Sequence, residues 1–296
     1  MKSNERRYLL LKRKDAQFLV LADFHIGLEL ETFRDTGVRL DGLSGTMIED
    51  LCSIITQSNP TTVFILGDLE HSFRQSRASK NKTKTKSSVF SPGGSFQRRY
   101  KRQILEPFAS LDTNIVLVRG NHDINSREIL PSSVRIIGPR GLNLKIPGRG
   151  RIGLLHGHAY PSFLSEEIII SHIHPTVQIK EESLDVYHRL PVFLRGEIPA
   201  ANYETILAGK IAEAKRTPIS TPSVRITIIP AFNETIFGSP VNKQPQNIPS
   251  AFIGKLFSQV DFEVFLLDGN YLGRLSQLSF LTDIKQKSKR KRTNLL

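Results

Sequence analysis

The sequence has little of several residue types that would point to particular classes of protein. Among 296 residues there are one cysteine and no tryptophan. The single thiol, Cys52, excludes a disulfide framework and a cysteine-based zinc cage, and it is typical of a reducing compartment. No apolar run approaches the ~18 residues of a membrane span. The first ten residues lack an apolar core followed by a cleavage site, so we expect a cytoplasmic protein.

Acidic residues are also in the minority, with 28 Asp and Glu against 41 Lys and Arg and a formal net charge of +13. The excess lies in two stretches. Ten basic residues and no acid occur from Arg74 to Arg102, and six basic residues occur from Lys285 to Arg292. Without these 16, the remaining 25 basic residues face 28 acidic ones. The body of the chain is therefore slightly acidic, and the net charge alone does not indicate a nucleic-acid-binding domain.

Both basic stretches have too few apolar residues to pack. We therefore expect one domain over residues 1–284, a long, flexible basic insertion at 72–102 and a disordered basic tail at 285–296. Lysine and arginine contacts with phosphates would let both stretches bind nucleic acid in a salt-sensitive way. The alternative is a solvated linker and a solvated tail. Because the insertion follows His71 directly, it is a candidate flap facing the substrate.

Short continuous apolar runs recur along the body of the chain and are typical of strands buried on both faces. They are Phe18–Ala22, Val63–Leu66, Ile115–Val118, Ile152–Leu155 and Ile168–Ile170. Residues 42–58 have helical spacing and end before Pro60, which predicts an amphipathic helix. Two later runs, 224–229 and 262–267, predict further strands, the second entering a hairpin turn. Strands interleaved with helices indicate an α/β chain. Residues 197–222 carry no clear pattern.

Polar residues follow each of the first five runs. The segments are Asp23-Phe24-His25, Gly67-Asp68-Leu69-Glu70-His71, Arg119-Gly120-Asn121-His122-Asp123, His156-Gly157-His158 and Ser171-His172-Ile173-His174. Seven of the eight histidines lie there, and we expect the eighth, His188, to be structural. Any one segment alone is ordinary turn chemistry. Together, at strand ends that converge on one crevice, they predict a polynuclear metal site.

This succession of motifs resembles the calcineurin-like metallophosphoesterases. The GDLEH form of the second motif, with the segments IIPAFN (228–233) and FEVFLLDGNYLGRL (262–275), is similar to a narrower archaeal group related to the bacterial DNA-ligase-associated phosphoesterase. One departure is Ser171, where the family usually has glycine. Serine is small enough to keep the turn, so we expect the site to be intact.

The resemblance implies a four-layer αββα sandwich with two divalent metal ions. One ion would be held by Asp23, His25, Asp68 and His174, and Asp68 would bridge to a second ion held by Asn121, His156 and His172. Imidazole and oxygen ligands without thiolate suit Mn²⁺, Fe or Zn²⁺. Of these we expect Mn²⁺.

The resemblance also implies a hydrolase in which a hydroxide bridging the two ions attacks phosphorus in line with the leaving group. His122 is the candidate proton donor, and Asp123 would orient its imidazole and raise its pKa. His71 is a candidate to touch substrate or brace Asp68. His158 is either a substrate contact or a structural histidine.

The expected function is a metal-dependent phosphoesterase, more narrowly a phosphodiesterase or nuclease-like enzyme acting on a nucleotide or nucleic acid. One alternative is a phosphomonoesterase with a small substrate. Another is a nucleic-acid-binding or partner-binding module with a silent site, against which the complete set of candidate ligands argues.

Overall fold

The computed structural model describes residues 6–13, 16–40, 42–71, 94–146, 150–181, 184–212, 217–243 and 248–278. The predicted tail at 285–296 and the part of the predicted insertion at 72–93 lie outside the described residues. In the described parts of the chain, no helix combines the length and apolar character that a membrane span requires.

The first sheet has five strands in chain order. They are β1 (Leu9–Arg13), β2 (Ala16–Leu21), β3 (Thr62–Ile65), β4 (Asn114–Val118) and β5 (Arg135–Ile137). β1 pairs with β2 in antiparallel fashion, and the other pairs are parallel. The inner strands are apolar from Phe18, Val63 and Ile115 onward because both faces are covered there. Leu19 and Leu21 pack among residues of the helices, whereas Val20 packs against the second sheet.

The second sheet has nine strands, ordered β12-β9-β10-β11-β8-β7-β6, with β13 paired to β10 and β14 paired to β13. Their bounds are β6 (Leu142–Ile146), β7 (Gly150–Leu155), β8 (Glu167–Ile170), β9 (Pro175–Glu181), β10 (Val186–Pro199), β11 (Ser223–Ile228), β12 (Ser239–Pro240), β13 (Glu263–Leu266) and β14 (Tyr271–Arg274). β7, β8 and β11 run parallel to one another.

Helices cover the outer face of each sheet. They are α1 (Leu28–Thr36), α2 (Leu43–Ser58), α3 (Gly94–Leu105), α4 (Ser126–Ile129), α5 (Ala200–Ile206) and α6 (Ala251–Phe257). Leu51 of α2 belongs to the apolar cluster of the first sheet, and Tyr203 of α5 to that of the second. A third cluster fills the space between the sheets. The layers are therefore αββα, which confirms the predicted fold class.

The strands and the helix predicted from apolar patterning are confirmed, including the hairpin formed by β13 and β14. The prediction of a flexible insertion is wrong for residues 94–102, which belong to α3. The unpatterned region 197–222 holds the end of β10 and helix α5. β2, β3, β4, β7 and β8 all end at one edge of the sandwich, since within each sheet they run parallel.

Candidate metal centre

The turns that follow β2, β3, β4, β7 and β8 bring all seven predicted metal ligands together. Six of them form two overlapping groups in which every residue offers one ligand atom within 4.8 Å of the others. The first group is Asp23, His25, Asp68 and His174, and the second is Asp68, His156 and His172. The seventh, Asn121, places its Oδ1 3.2 Å from Nε2 of His156.

The backbone at these turns adopts a conformation that side-chain-bearing residues rarely take. Seven described residues other than glycine have positive φ, and five of them are predicted ligands: Asp23, His25, Asp68, His172 and His174. Such conformations persist only where the surrounding structure enforces them, and they cluster at functional sites. The turns are therefore shaped to aim the ligands rather than to minimise local strain.

Two glycines permit the close approach of these turns. A Cβ at Gly120 would lie 2.1 Å from Oδ1 of Asp68. A Cβ at Gly67 would lie 2.5 Å from Nδ1 of His156. Neither position tolerates a side chain, which explains the Gly-Asp and Gly-Asn-His pairs of the motifs.

Ligand atoms of the first group are buried and face one another. Nε2 of His174 lies 3.3 Å from Oδ1 of Asp23, and Nε2 of His25 lies 3.6 Å from Oδ2 of Asp68. Among the described residues, none donates to or accepts from Oδ1 of Asp23 or Nε2 of His25 and His174. Buried polar atoms without partners are costly. A divalent cation would satisfy all three, so this group fits a metal ion.

The second group shares Asp68 with the first. Oδ2 of Asp68 lies 3.3 Å from Nε2 of His156, and Nδ1 of His172 lies 3.0 Å from that same nitrogen. Nδ1 of His156 points away from the group, 2.8 Å from the carbonyl oxygen of Leu66. A ring N–H donated to a backbone carbonyl leaves the other nitrogen free as a ligand. Asp68 is the residue positioned to bridge two ions.

Ser171 keeps the turn that glycine usually makes and adds a contact to it. Its hydroxyl donates to the carbonyl oxygen of Leu66 at 2.7 Å and lies 3.1 Å from Nδ1 of His156. The substitution therefore supports the orientation of His156 rather than disturbing it.

The electrostatics of the cluster separate the charged groups from the neutral ones. Burial would raise the pKa of Asp68, but the hydrogen bond and charge of His156 hold it well below its ordinary value. Burial would also raise the pKa of Asp23, but His174 and His156 outweigh this effect and lower the pKa below its ordinary value. His156 itself has its pKa raised to about 9 against the effect of burial, by Asp68 and Asp23. The carboxylates are thus ionised before any cation binds.

At two other ligands, both histidines, burial determines the direction of the shift and lowers the pKa. It lowers the pKa of His25 to about 3. Burial and the charge of His156 lower the pKa of His172 to about 4. Both imidazoles are therefore neutral at physiological pH and offer a lone pair, as metal binding requires.

The predicted contact between Asp123 and the imidazole of His122 is wrong. Oδ2 of Asp123 accepts from the backbone N–H groups of Gly120 at 2.7 Å and Asp68 at 2.8 Å, and Oδ1 accepts from Glu70 N–H at 3.1 Å. Burial and the nearby Asp68 raise the pKa of Asp123 to about 6. Asp123 braces the backbone of two motifs because its short side chain turns back beneath the loop.

His122 lies beside the first group with its ring open to it. Its backbone N–H donates to Oδ1 of Asp68 at 2.9 Å. Its ring centroid is 5.0 Å from that of His25, and its buried Nδ1 has no hydrogen-bond partner in the described parts of the chain. A histidine so placed can donate or accept a proton near the cluster.

His71 contacts His25 rather than Asp68. Nδ1 of His71 lies 3.1 Å from Nδ1 of His25, and its Nε2 contacts the carboxylate of Glu31. Its ring stacks on that of His122, with centroids 5.0 Å apart. His71 was predicted either to touch substrate or to brace Asp68. Its contacts are those of a bracing residue, but the ligand that it braces is His25.

The two remaining histidines lie in different places. The ring of His158 is 5.1 Å from that of His156, and burial with the charge of His156 lowers the pKa of His158 to about 4. His188 is exposed in β10, where its Nε2 lies 2.9 Å from a carboxylate oxygen of Glu181.

Sequence reasoning missed the residues that support the motifs from other elements. Lys101 of α3, only 3% exposed, donates to Oε2 of Glu70 at 3.1 Å and to the carbonyl oxygen of His71. Oε1 of Glu70 in turn accepts from the backbone N–H of Asn125 at 2.6 Å. The basic composition around Lys101 hid this role. No local signal marks Glu31 either, since it lies in an exposed-looking helix.

The family model for calcineurin-like phosphoesterases matches residues 16–206. The crystal structure of Pseudomonas putida nuclease MPE is similar at 17% identity with a TM-score of 0.44, covering 88% of this chain and 97% of that one. YfcE, a phosphoesterase from E. coli, is similar at 20% identity with a TM-score of 0.33, covering 58% and 76%. The comparison with curated proteins gave no match.

Proposed function

Since this chain belongs to the calcineurin-like phosphoesterase family, and is thus a metal-dependent phosphoester hydrolase, we propose that it is a two-metal phosphodiesterase acting on a nucleotide or nucleic acid. The observation that carries the two-metal part is the position of Asp68, which belongs to both groups of ligand atoms. A bridging carboxylate is how two cations are commonly held ~3.5–4 Å apart.

In this proposal each ion has a defined set of residues. Asp23, His25, Asp68 and His174 hold the first, and Asp68, Asn121, His156 and His172 hold the second. When bound, the ions would lower the pKa of a water molecule and neutralise phosphate oxygens. Neutral imidazole with carboxylate and amide oxygen suits Mn²⁺, with Fe and Zn²⁺ as alternatives.

The protein residues around the ions supply positioning and a proton. His122, whose Nδ1 is buried without a partner among the described residues, would donate a proton to the leaving oxygen. Asp123 would act only indirectly, by holding the turns that carry Asp68 and Gly120. His158, whose ring is 5.1 Å from that of His156, would contact a substrate phosphate.

The test joins metal stoichiometry to a substrate panel. Calorimetric titration of the metal-free protein with Mn²⁺ should give two ions per chain, and Asp68→Asn should weaken both because each group loses its shared ligand. His188→Asn, which changes an exposed histidine, is the matched control. One ion per chain, or an Asp68→Asn protein that still binds two ions with unchanged affinity, would contradict the proposal.

The panel then compares an aryl phosphodiester, an aryl phosphomonoester, cyclic nucleotides, and single-stranded and double-stranded DNA with Mn²⁺ present. Faster hydrolysis of the diesters supports the proposal. Preference for the monoester would identify a small-molecule phosphomonoesterase instead. Two bound ions without turnover of any substrate would favour a binding module with a silent site.

A further inference from the structure

The hairpin formed by β9 and β10 extends beyond the strands that carry the metal centre. β10 pairs with β11 through residues 194–199, and Leu194 lies opposite Ile228 at the carboxyl end of β11. The preceding residues of β10, 186–191, pair instead with β9. Along β10, the hairpin therefore continues past the carboxyl ends of β11 and of its parallel neighbour β8, the same ends from which the ligand-bearing turns emerge.

The two faces of this hairpin differ. Val177 and Leu190 are directly opposite each other and join the apolar cluster beneath α5 and α6. The next pair, Gln178 and Arg189, lies on the other face, because side chains alternate along a strand. Tyr187, opposite Lys180, lies on this second face too. One face is core, and the other carries polar, cationic and aromatic residues.

Tyr187 is 54% exposed and is flanked by two ammonium groups. Nζ of Lys180 lies 5.7 Å from its ring centroid and Nζ of Lys243 lies 5.8 Å from it. Lys180 also pairs with Asp185. Lys243 reaches this place because its segment runs beside β9, where the side chain of Asn242 bonds the backbone N–H and carbonyl of Gln178.

The segment that leads to Asn242 and Lys243 begins beside the metal centre. Ser239 donates its N–H to the carbonyl oxygen of the candidate ligand His174 at 3.0 Å. A Cβ at Gly238 would lie 2.3 Å from that oxygen, so glycine allows the close approach. The residue before it, Phe237, is 80% exposed, more than any other large apolar residue among those described. An unprotected aromatic ring thus lies next to the turn that carries His174.

These residues form a strip that we call the hairpin track: Phe237 at the metal end, then Gln178 with Arg189 opposite it, then Tyr187 with Lys243. Lys180 lies six residues after His174, so the track is about 20 Å long at ~3.3 Å per residue. At the ~3.4 Å per nucleotide of a fully stacked strand, this length covers at most about six nucleotides.

We propose that the hairpin track binds single-stranded nucleic acid and leads one strand to the metal centre. Exposed aromatic rings stack on bases of any sequence, and interleaved cations contact the phosphates, which is how single strands are held without sequence preference. A duplex does not fit this chemistry, because its bases are already stacked on one another. The proposal rests on the proposed phosphodiesterase function for its orientation toward the site.

Binding is measured first, without catalysis. Fluorescence anisotropy of labelled oligothymidylates of three to twelve nucleotides is recorded for the full chain in the presence of a chelator. Phe237→Ala and Tyr187→Ala should each weaken binding at least about fivefold, the lower bound for loss of one stacked base. Lys243→Ala should reduce the slope of log affinity against log salt by about 0.7.

Matched controls lie elsewhere on the surface. Tyr271 is 53% exposed on β14, and Tyr271→Ala is the control for Tyr187→Ala. Nζ of Lys255 lies 5.6 Å from the ring centroid of Tyr160, and Lys255→Ala is the control for Lys243→Ala. Both controls should bind like the unaltered protein. Affinity should rise with length up to about six nucleotides at the track and more slowly beyond.

The outcomes separate this proposal from the proposed function. Hydrolysis of an aryl phosphodiester should be unchanged in Tyr187→Ala and Lys243→Ala, since a small substrate at the metal centre does not reach the far end of the track. Loss of oligonucleotide binding in the track variants supports the track, whether or not any diester is hydrolysed. Absence of diester hydrolysis would contradict the proposed function and not the track. Unchanged binding in the track variants, no measurable binding by the unaltered protein, or an equal loss for duplex DNA would overturn the track. A change in oligomeric state in the track variants would also overturn it, since the strip would then be an interface between copies.

Discussion

A carboxylate and two histidines form a chain of contacts that ends on a candidate metal ligand. Glu31 contacts Nε2 of His71, and Nδ1 of His71 lies 3.1 Å from Nδ1 of His25. A carboxylate accepts N–H from Nε2, which leaves Nδ1 of His71 as an acceptor for the N–H of His25. Nε2 of His25 then keeps its lone pair for a cation. Mutation of an outer residue that orients a ligand in this way typically lowers metal affinity or activity by a factor of about 10–100.

We expect Glu31→Gln to weaken metal binding about tenfold while leaving the fold intact, because the amide no longer attracts the proton of His71. Competition between the protein and a metal-binding dye measures the affinity. Glu49→Gln, at an exposed position of α2, is the matched control. Equal affinities for the Glu31 and Glu49 variants would show that the chain of contacts has no influence on His25.

His122→Ala tests the proton donor separately from the metal. His122 belongs to a third group of possible ligand atoms, with His25 and His71, but to neither of the two groups that share Asp68, so the two proposed ions should still bind. Loss of a general acid lowers turnover by a factor of about 10²–10⁴. The loss should be smaller for a diester whose leaving group is acidic, such as a nitrophenolate, because that oxygen needs less protonation. An equal loss for good and poor leaving groups would count against a role in protonation.

At the scale of single residues, the sequence predicted the site where the same local pattern, a polar residue directly after an apolar strand, recurs along the chain. Asp23, Asp68 and His156 each follow an apolar strand, so their convergence was predictable. Glu31 and Lys101 come from helices whose sequence carries no such pattern, and only tertiary contacts reveal them. Asp123 was misread because adjacency in sequence to His122 suggested a contact that the turn does not make.

Among the elements, α3, which includes the end of the basic stretch, contacts the turns that carry the metal ligands. Tyr100 donates to Glu29 at 2.6 Å, and the next residue, Lys101, reaches Glu70 and the carbonyl of His71. The stem of Lys101 also packs on Gly27, where a Cβ would lie 2.9 Å from Cε. One buried lysine therefore holds the turns after β2 and β3 together.

Lys101→Met should destabilise the protein by about 3–5 kcal/mol, because Glu70 would remain buried without its cation. Urea unfolding measures the change. Arg99→Met, at an exposed position of the same helix, should be nearly neutral. Adding Glu70→Gln to Lys101→Met should recover much of the loss, since no uncompensated charge is then left. A double variant as unstable as the two single variants combined would contradict a direct pairing.

Elements were predictable from sequence where burial was uniform. β2, β3 and β4 are apolar from Phe18, Val63 and Ile115 onward because helices and a second sheet cover them there. β9 and β10 were not predicted, since half of each is exposed beyond the sheet and both contain proline. α3 was taken for a flexible stretch because its many basic residues outweigh the few positions that pack, such as Leu105.

For the whole molecule, metal binding and stability are linked through His156. Its pKa is raised to about 9 in the metal-free protein by Asp68 and Asp23, against the effect of burial. A pKa above the unfolded value means that this group stabilises the metal-free fold fully below about pH 6.5, and that the contribution is lost as pH rises through about 9. A cation needs the neutral imidazole, so its affinity changes in the opposite direction.

The stabilisation by Mn²⁺ should therefore grow between pH 6.5 and 9. With one proton displaced, apparent affinity rises about tenfold per pH unit, which adds about 1.4 kcal/mol per unit to the free energy of unfolding at a fixed excess of metal. Thermal unfolding with Mn²⁺ and with chelator, at half-unit pH intervals, measures the difference. His156→Gln should remove the pH dependence, whereas His188→Gln should retain it. A difference that stays constant across this range would show that no proton leaves His156 when metal binds.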